Sequence, residues 1–365
     1  MSLPVEFIKK YQNLLGEEES NKFFASIDSP SKKGFRLNPL KNNYQDVQYS
    51  LEEPIEFTSD GYYGEVSGRD SEWTGGYVYS QDPSAMYPAV ALNVKPGEKV
   101  LDLCAAPGGK STALASFLEN KGLLVANEIS KSRAKDLREN LERWGATNVV
   151  VINESPERLS KKLPHFFDKI LVDAPCSGEG MFRKDPAAMQ YWSPEYVLTC
   201  QTRQAVSIKV KKKKHQKNSS VTRLTKDEIT TVEEILDHFV LPVGLKNWQK
   251  AVLQSNGHVF VPAIDPELLN ELHILNNGVE LGLLKKKRFE PSHQLAEVLG
   301  QKAQKQLLNL KNKADYEHYL HGETIKVNSD LRGFVLVAFQ NHIFSFGKIG
   351  NDQILKNFYP KGLRK

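Results

Sequence analysis

The most regular pattern of hydrophobic and polar positions lies between residues 96 and 173, where short apolar runs alternate with amphipathic stretches. Runs of about four to six apolar residues are typical of strands buried on both faces of a parallel sheet. The pattern therefore predicts an α/β domain with a doubly wound sheet covered by helices. The predicted strands are residues 99–104, 123–128, 149–152 and 169–173.

The pattern is less regular on either side of this region. Residues 5–11 predict a helix, and residues 60–80, which are rich in Gly, Tyr, Ser and Trp, predict surface loops. After residue 204 the alternation stops, and apolar runs at 333–339 and 342–347 predict a small β-rich module. These changes divide the chain into predicted units at 1–95, 96–204, 205–220, 221–300 and 310–365.

Composition narrows the class of protein. The chain has 365 residues, of which 40% are hydrophobic and 25% charged, as in an ordinary globular protein of two or three domains. No apolar stretch approaches the roughly 18 residues of a membrane span, and the first residues lack a signal-peptide pattern. Three cysteines cannot form a disulfide framework, so we expect a cytoplasmic protein in a reducing compartment.

The net charge of +5 is unevenly distributed along the chain. Residues 1–204 carry 24 Lys and Arg against 28 Asp and Glu, whereas residues 205–365 carry 25 against 16. A basic second half predicts a polyanionic partner such as nucleic acid. The lysine run at 211–214 admits two interpretations, a solvated linker or a nucleic-acid contact.

The strongest local signal for a ligand site is segment 102–111 (DLCAAPGGKS), where the first predicted strand gives way to a helix. Paired glycines let a ligand approach the backbone, and a helix N-terminus offers free N–H groups. A phosphate-binding P-loop is disfavoured, because its first glycine would fall on Cys104. The remaining alternative is a turn that only packs the helix on the strand.

An acidic residue supports the ligand interpretation. Glu128 closes the second predicted strand, where an acid binds the ribose hydroxyls in dinucleotide folds. A nucleoside ligand without a pyrophosphate needs fewer glycines than the dinucleotide pattern supplies. S-adenosylmethionine meets this description, with its carboxylate and amine facing the turn and its ribose facing Glu128.

A second candidate site follows the fourth predicted strand, in segment 173–184 (DAPCSGEGMFRK). It brings Asp173 and Cys176 to the same sheet edge, three residues apart. A thiol in a basic and partly open environment is reactive as its thiolate. The alternative, a small buried hydrophobic residue, is disfavoured because Pro, Gly and Ser surround Cys176 and make poor core material.

Seven segments look like the successive sequence motifs of one protein family: 36–38 (RLN), 81–86 (QDPSAM), 104–110 (CAAPGGK), 127–128 (NE), 140–145 (NLERWG), 173–180 (DAPCSGEG) and 356–364 (KNFYPKGLR). With them the chain resembles the Nop/Sun family of S-adenosylmethionine-dependent RNA cytosine-5 methyltransferases, and within it the bacterial 16S ribosomal RNA enzymes of the F type. The resemblance implies a Rossmann-like catalytic domain at 96–204. It also implies a small N-terminal domain that positions RNA and a PUA-like RNA-binding module at 310–365.

The resemblance implies roles for individual residues. Glu128 is expected to bind the ribose, and Asp173 to line the pocket shared by cofactor and target base. Cys176 matches the family thiol that helps to release the product. Ser155 falls where the family commonly has an acid near the adenine, and no metal is expected. The residues expected to wrap the methionine and ribose are Cys104, Ala105, Ala106, Pro107, Gly108, Gly109, Lys110 and Ser111.

The chemistry explains why such enzymes use thiols. Carbon 5 of cytosine is a weak nucleophile until a thiolate adds at carbon 6. The carbon-5 proton must then leave, with help from a second thiol or a carboxylate, before the adduct can break. The base must also be unstacked, which favours single-stranded or opened RNA.

The chain departs from the family where the attacking cysteine should be, in a Thr-Cys pair after the fifth strand. The chain passes from a predicted helix at 194–204 directly into the basic segment, so the last three strands are missing. Thr199-Cys200 has the same two residues as the family's Thr-Cys pair, but it lies within that helix and the family's pair lies beyond it. We therefore interpret Cys200 as a packing thiol. Either residues between 204 and 205 are absent from the sequence, or the gene carries a deletion. Sheet energetics favour the first, because losing three strands would expose apolar surface that a domain stable by only about 5–15 kcal/mol could not tolerate.

We therefore expect a monomeric S-adenosylmethionine-dependent methyltransferase acting on carbon 5 of a cytosine in small-subunit ribosomal RNA or the assembled subunit. One alternative is a catalytically inactive relative that binds RNA during ribosome assembly. Another is a methyltransferase of proteins or small molecules, which the basic second half disfavours.

Overall fold

The structure is a computed structural model that describes residues 3–205, 221–254, 256–286 and 288–364. Most of the predicted basic junction, including the lysine run at 211–214, lies outside these residues. Among the described residues, no helix is both long and apolar enough to span a bilayer.

The N-terminal region contains two helices and a small antiparallel sheet of order β2-β1-β3. The prediction of surface loops at 60–80 is wrong, because this segment supplies β2, α3 and β3, and Tyr77 and Val78 are buried in the core. The elements are α1 (Val5–Leu15), α2 (Glu17–Asp28), β1 (Gly34–Leu37), β2 (Gly61–Tyr63), α3 (Ser71–Thr74), β3 (Val78–Ser80) and α4 (Pro83–Ala91).

The central region confirms the predicted α/β domain. Its four strands are parallel, in the order β6-β5-β4-β7, and apolar side chains fill both faces of the sheet. The elements are β4 (Lys99–Asp102), α5 (Gly109–Phe117), β5 (Leu123–Asn127), α6 (Lys131–Trp144), β6 (Val149–Ile152), α7 (Pro156–Lys162) and β7 (Lys169–Leu171). Two 3₁₀ turns and α8 (Pro194–Ala205) follow, and α8 continues through residues 204 and 205 without a break.

The C-terminal half contains two five-stranded sheets, of order β13-β12-β10-β9-β8 and β14-β16-β17-β18-β15. The two predicted terminal strands are confirmed as β16 and β17. The elements are β8 (Val221–Arg223), α9 (Lys226–Leu236), β9 (Val252–Gln254), β10 (His258–Val261), β11 (Ile274–Asn277), β12 (Val279–Lys285), β13 (Arg288–Pro291), α10 (His293–Leu299), β14 (Leu307–Leu310), α11 (Lys313–His321), β15 (Ile325–Lys326), β16 (Gly333–Phe339), β17 (His342–Ile349) and β18 (Ile354–Asn357).

The central sheet has a fifth strand that the sequence pattern did not predict. β11 comes from the C-terminal half and pairs antiparallel with β6, where Ile274 faces Ile152. The opposite edge of the sheet is β7, and no described strand pairs with its outer side. Ile170 and Val172 are 50% and 58% exposed there. Apolar side chains of the described residues therefore lie uncovered at this edge.

A buried ion pair joins the N-terminal region to the C-terminal half. Lys41 Nζ donates to Glu297 Oε2 at 2.7 Å and to the Glu297 carbonyl oxygen at 2.9 Å, and both side chains are fully buried. Arg143, at the end of α6, lies close enough for its charge to act on both residues. The ion pair therefore fixes the N-terminal region against the C-terminal half.

His293 lies beside this pair and makes stability depend on pH. Burial, followed by the charges of Lys41 and Arg143, lowers the pKa of His293 to about 4. The imidazole of the unfolded chain has a pKa near 6.5. Between about pH 4 and pH 6.5 the unfolded chain therefore binds a proton at His293 that the folded chain does not bind. We expect His293 to make its full contribution to the free energy of unfolding above about pH 6.5. That free energy should fall by up to about 3 kcal/mol as the pH drops to about 4.

Urea unfolding at pH 7 and pH 5 measures this dependence. His293→Gln should reduce the loss of stability between the two pH values relative to the parent chain, because glutamine does not titrate. His321→Gln, which changes an exposed histidine at the end of α11, is the matched control. Equal pH dependence in all three proteins would contradict the assignment to His293.

Candidate active site

The turn between β4 and α5 lies across the carboxyl ends of the neighbouring strands. The backbone N–H of Leu103 donates to the Leu171 carbonyl at 2.9 Å, and that of Ala105 donates to the Asn127 carbonyl at 2.8 Å. Gly108 has a φ of +116°, a conformation that favours glycine. The predicted ligand turn is thus held at the sheet edge where open α/β folds bind ligands.

Two polar side chains of α6 hold the turn from below. Arg133 Nη2 donates to the Ala106 carbonyl and Asn140 Nδ2 to the Pro107 carbonyl, both at 2.7 Å. They are seven residues apart and lie on one face of the helix. We did not predict either residue as part of the site from the sequence. The signal that was available is the seven-residue spacing of Arg133 and Asn140, with Leu137 between them, which places all three on one face of a helix.

A buried arginine from the N-terminal sheet supports the start of α5. Arg36 Nη2 donates to the Gly109 carbonyl and to Thr112 Oγ1, each at 2.6 Å, and its Nε donates to Gln81 Oε1 at 2.7 Å. Burial lowers the pKa of Arg36 to about 10. Arg36 and Gln81 belong to segments that carried the family resemblance, and the structure gives them a positioning role.

Three carboxylates converge near Cys104. Burial raises the pKa of Asp102 to about 6; Ser111 Oγ donates to its Oδ2 at 2.7 Å, and its buried Oδ1 has no partner. Burial and the charges of Glu128, Asp102 and Asp173 raise the pKa of the Cys104 thiol. Arg133 opposes this effect; it lies 3.5 Å from Glu128, and Lys110 pairs with Asp173. Among the described residues, Asp102 is the one of the three carboxylates without an ion-pair partner, and its buried Oδ1 can accept a hydrogen bond from a cationic ligand.

The two residues predicted to contact the nucleoside, Glu128 and Ser155, differ in whether their oxygen atoms can still accept a hydrogen bond from a ligand. Glu128 is buried; its Oε1 accepts the Ser130 N–H at 2.8 Å, and its Oε2 lies 3.5 Å from Arg133. The Ser155 hydroxyl accepts the N–H of Arg158 at 3.4 Å and so caps α7. Glu128 retains acceptor capacity for a ligand, whereas Ser155 uses its oxygen for the helix.

The loop after β7 places Cys176 at the surface. The thiol is exposed and lines a cavity of about 290 Å³ with Met181, Tyr191 and Tyr196. Nearby, Lys110 Nζ donates to Asp173 Oδ2 at 2.6 Å, which ties the loop to the ligand turn. Cys200 is buried in α8, as its interpretation as a packing thiol predicts.

Glu179 anchors the Cys176 loop to the N-terminal helix. Its carboxylate accepts hydrogen bonds from Lys10 at 2.8 Å, Tyr11 at 2.5 Å and Trp192 Nε1 at 2.8 Å. These donors lower the pKa of Glu179 despite its partial burial. In the described part of the chain, no three His, Cys, Asp or Glu side chains are grouped to hold a metal ion.

Four family models match the chain in order. Residues 3–83 match the N-terminal domain of 16S rRNA methyltransferase RsmF, and residues 89–238 match 16S rRNA methyltransferase RsmB/F. Residues 238–299 match the first C-terminal domain of RsmF rRNA methyltransferase, and residues 311–365 match the methyltransferase RsmF PUA domain.

Individual relatives agree with these matches. The ribosomal RNA small subunit methyltransferase F of Pectobacterium carotovorum is 37% identical over 212 residues, which cover 54% of this chain and 44% of the relative. That of Aliivibrio salmonicida is 38% identical over 213 residues, covering 54% and 45%. The chain thus spans less than half the length of these relatives. The crystal structure of PH0851 has a TM-score of 0.52 at 26% identity, covering 56% of this chain and 49% of that one.

Proposed function

Because the chain belongs to the RsmB/F family of 16S rRNA methyltransferases, we propose that it transfers a methyl group from S-adenosylmethionine to carbon 5 of a cytosine in 16S ribosomal RNA. The observation that carries this proposal is that the ligand turn, with the buried carboxylates of Asp102 and Glu128, and the exposed Cys176 lie at one sheet edge. Lys110 and Asp173 link the two parts.

The residues of the turn fit S-adenosylmethionine. The cofactor carries a sulfonium and an ammonium cation, and the turn offers the unpartnered Asp102 Oδ1 among three carboxylates. Glu128 supplies acceptors for the ribose hydroxyls. When bound, the cofactor supplies an electrophilic methyl group. The remaining contacts are assigned to the backbone of Cys104, Ala105, Ala106, Pro107, Gly108, Gly109, Lys110 and Ser111.

Replacement of Glu128 tests the cofactor site. Glu128→Ala removes a charged acceptor and should weaken S-adenosylmethionine binding by about 1.5–3 kcal/mol, roughly ten- to a hundredfold. Isothermal titration calorimetry measures this change. Glu139→Ala, which removes an exposed acid of α6, should bind like the parent protein. An unchanged affinity in Glu128→Ala would remove Glu128 from the site.

The resemblance gives the family thiol at Cys176 a role in product release, but we assign the attack on the base to Cys176, because it is the only exposed thiol of the three cysteines. Of the three cysteines in the sequence, Cys200 is buried and Cys104 lies within the ligand turn. The Cys176 thiolate adds to carbon 6 of cytosine, which makes carbon 5 nucleophilic enough to accept the methyl group. A carboxylate, assigned here to Asp173, then accepts the carbon-5 proton, and the carbon–sulfur bond breaks to release the product.

The C-terminal half supplies the contact to RNA in this proposal. It carries 25 Lys and Arg against 16 Asp and Glu after residue 204, and residues 311–365 match a PUA domain. We assign the N-terminal unit, residues 1–95, to substrate positioning, and units 221–300 and 310–365 to RNA binding. The protein then acts as a monomer in the cytoplasm, on ribosomal RNA or the assembled small subunit.

One observation favours a second candidate function, an inactive relative that binds RNA during ribosome assembly. The Thr199-Cys200 pair lies in α8 with its thiol buried, and no described strand extends the sheet beyond β7. Neither Cys104 nor Cys200 lines the cavity at Cys176. Incubation with radiolabelled S-adenosylmethionine and either 16S rRNA or small subunits separates the two functions. The enzyme labels RNA, whereas the inactive relative binds RNA without labelling it.

A further inference from the structure

We propose that an aromatic strip beside Cys176, formed by Tyr191, Tyr196 and Met181, binds the base of an unpaired RNA nucleotide by stacking. This inference rests on the proposed function, since it names the form of RNA that the site accepts. It assigns Tyr191 as the main stacking residue.

Tyr191 is the most exposed member of the strip. Tyr191 is 76% exposed, the largest value among the large hydrophobic residues that the structure describes. Met181 and Tyr196 are 47% and 38% exposed. An exposed group of large apolar side chains next to a reactive residue indicates a binding surface.

The cavity between the strip and the thiol favours a base over a phosphate. Its volume is about 290 Å³, and its lining contains no charged side chain. A phosphate would need cationic or N–H donors, whereas the face of a base stacks on tyrosine regardless of its identity. The lining residues are Cys176, Ser177, Gly178, Met181, Ala188, Tyr191 and Tyr196.

Tyr191 is held in place by the residue that follows it. Trp192 is buried against Phe7 and Phe182, and its Nε1 donates to Glu179 at 2.8 Å. The 3₁₀ turn that carries Tyr191, Pro186–Tyr191, is capped by Asp185, whose carboxylate accepts the Ala187 N–H at 3.0 Å. With Trp192 fixed on the inner side, the Tyr191 ring is presented to solvent without a large loss of backbone freedom on binding.

An unpaired base is the occupant because of the thiol in the same cavity. A thiolate reaches carbon 6 of cytosine only after the base has left its helical stack. Aromatic faces compensate for the stacking that the base then loses. A base in this cavity therefore has its ring beside tyrosine and its edge near Cys176.

Equilibrium binding to a cytidine 12-mer, measured by fluorescence anisotropy without cofactor, tests the strip. Tyr191→Ala should weaken binding on the order of tenfold, because a stacked base is lost. Tyr191→Phe should bind like the parent protein, since it keeps the ring face. Tyr87→Ala, which removes a 56% exposed tyrosine of α4, is the matched control and should bind normally. A 12-mer of abasic nucleotides should bind the parent and Tyr191→Ala equally.

Unchanged binding by Tyr191→Ala would overturn the inference, as would a loss by Tyr191→Phe equal to that of Tyr191→Ala. The latter result would assign the contact to the hydroxyl group. The test is independent of the proposed function, because it measures binding without methyl transfer. If the parent protein methylates RNA and Tyr191→Ala binds normally, the inference about the strip is wrong and the proposed function stands. If the parent protein does not methylate RNA and Tyr191→Ala binds more weakly, the proposed function is wrong and the inference about the strip stands.

Discussion

Cys176→Ala is expected to reduce methyl transfer to the rate measured without protein. The substitution removes the only exposed thiol among the three cysteines. Cys200 is buried, and burial and nearby carboxylates raise the pKa of the Cys104 thiol, which disfavours its thiolate. The covalent RNA–protein adduct should vanish as well, because its sulfur is absent. Denaturing gels with labelled RNA and counting of transferred methyl groups measure both effects.

Cys200→Ala is the matched control. Its thiol is buried in α8, so the substitution should cost about 1 kcal/mol of stability and leave methylation nearly unchanged. A trapped adduct in Cys176→Ala would mean that Cys176 only assists product release and that another residue attacks the base. Normal turnover in Cys176→Ala would exclude Cys176 from the reaction.

Lys41→Ala should lower the free energy of unfolding by about 3–5 kcal/mol, because it leaves the Glu297 carboxylate buried without its cation. Burial raises the pKa of Glu297 to about 7, whereas Lys41 and Arg143 favour its charged form. Losing Lys41 removes the first of these charges and two hydrogen bonds. Urea unfolding at pH 7.5 measures the change.

The double variant Lys41→Met and Glu297→Leu should recover most of that stability, since replacing both partners by apolar groups leaves no unpaired charge. Lys9→Ala, which breaks an exposed i,i+3 pair with Glu6, should change the free energy of unfolding by less than about 1 kcal/mol. Equal, small effects in Lys41→Ala and Lys9→Ala would show that the buried pair contributes little to the docking of the C-terminal half.

The parallel strands were predictable because each is a continuous apolar run, which is the local signature of burial on both faces. β11 was not predictable in this way. Its residues Ile274–Asn277 alternate weakly, and its partner β6 lies over a hundred residues earlier in the chain. Residues 60–80 were misread for a related reason. Their glycines and aromatic residues look like loop composition, yet Tyr77 and Val78 are buried by contacts distant in sequence.

In the site, too, the residues that follow strands in the sequence were predictable, whereas contacts between segments distant in sequence were not. The Gly turn, Glu128 and Cys176 each follow a strand directly, so their position at one sheet edge follows from the strand order. Arg133 and Asn140 reach the turn from α6, 27 and 33 residues away from Ala106 and Pro107 in sequence, and only the packing of that helix shows which carbonyls they contact. The use of the Ser155 oxygen as a helix cap also depends on the fold around it.

Mapping 5-methylcytosine in 16S ribosomal RNA from cells with and without the gene tests the central claim most directly. We expect one cytosine that is methylated only when the gene is present, and that stays unmethylated when the gene encodes Cys176→Ala. Identical methylation maps with and without the gene would contradict it.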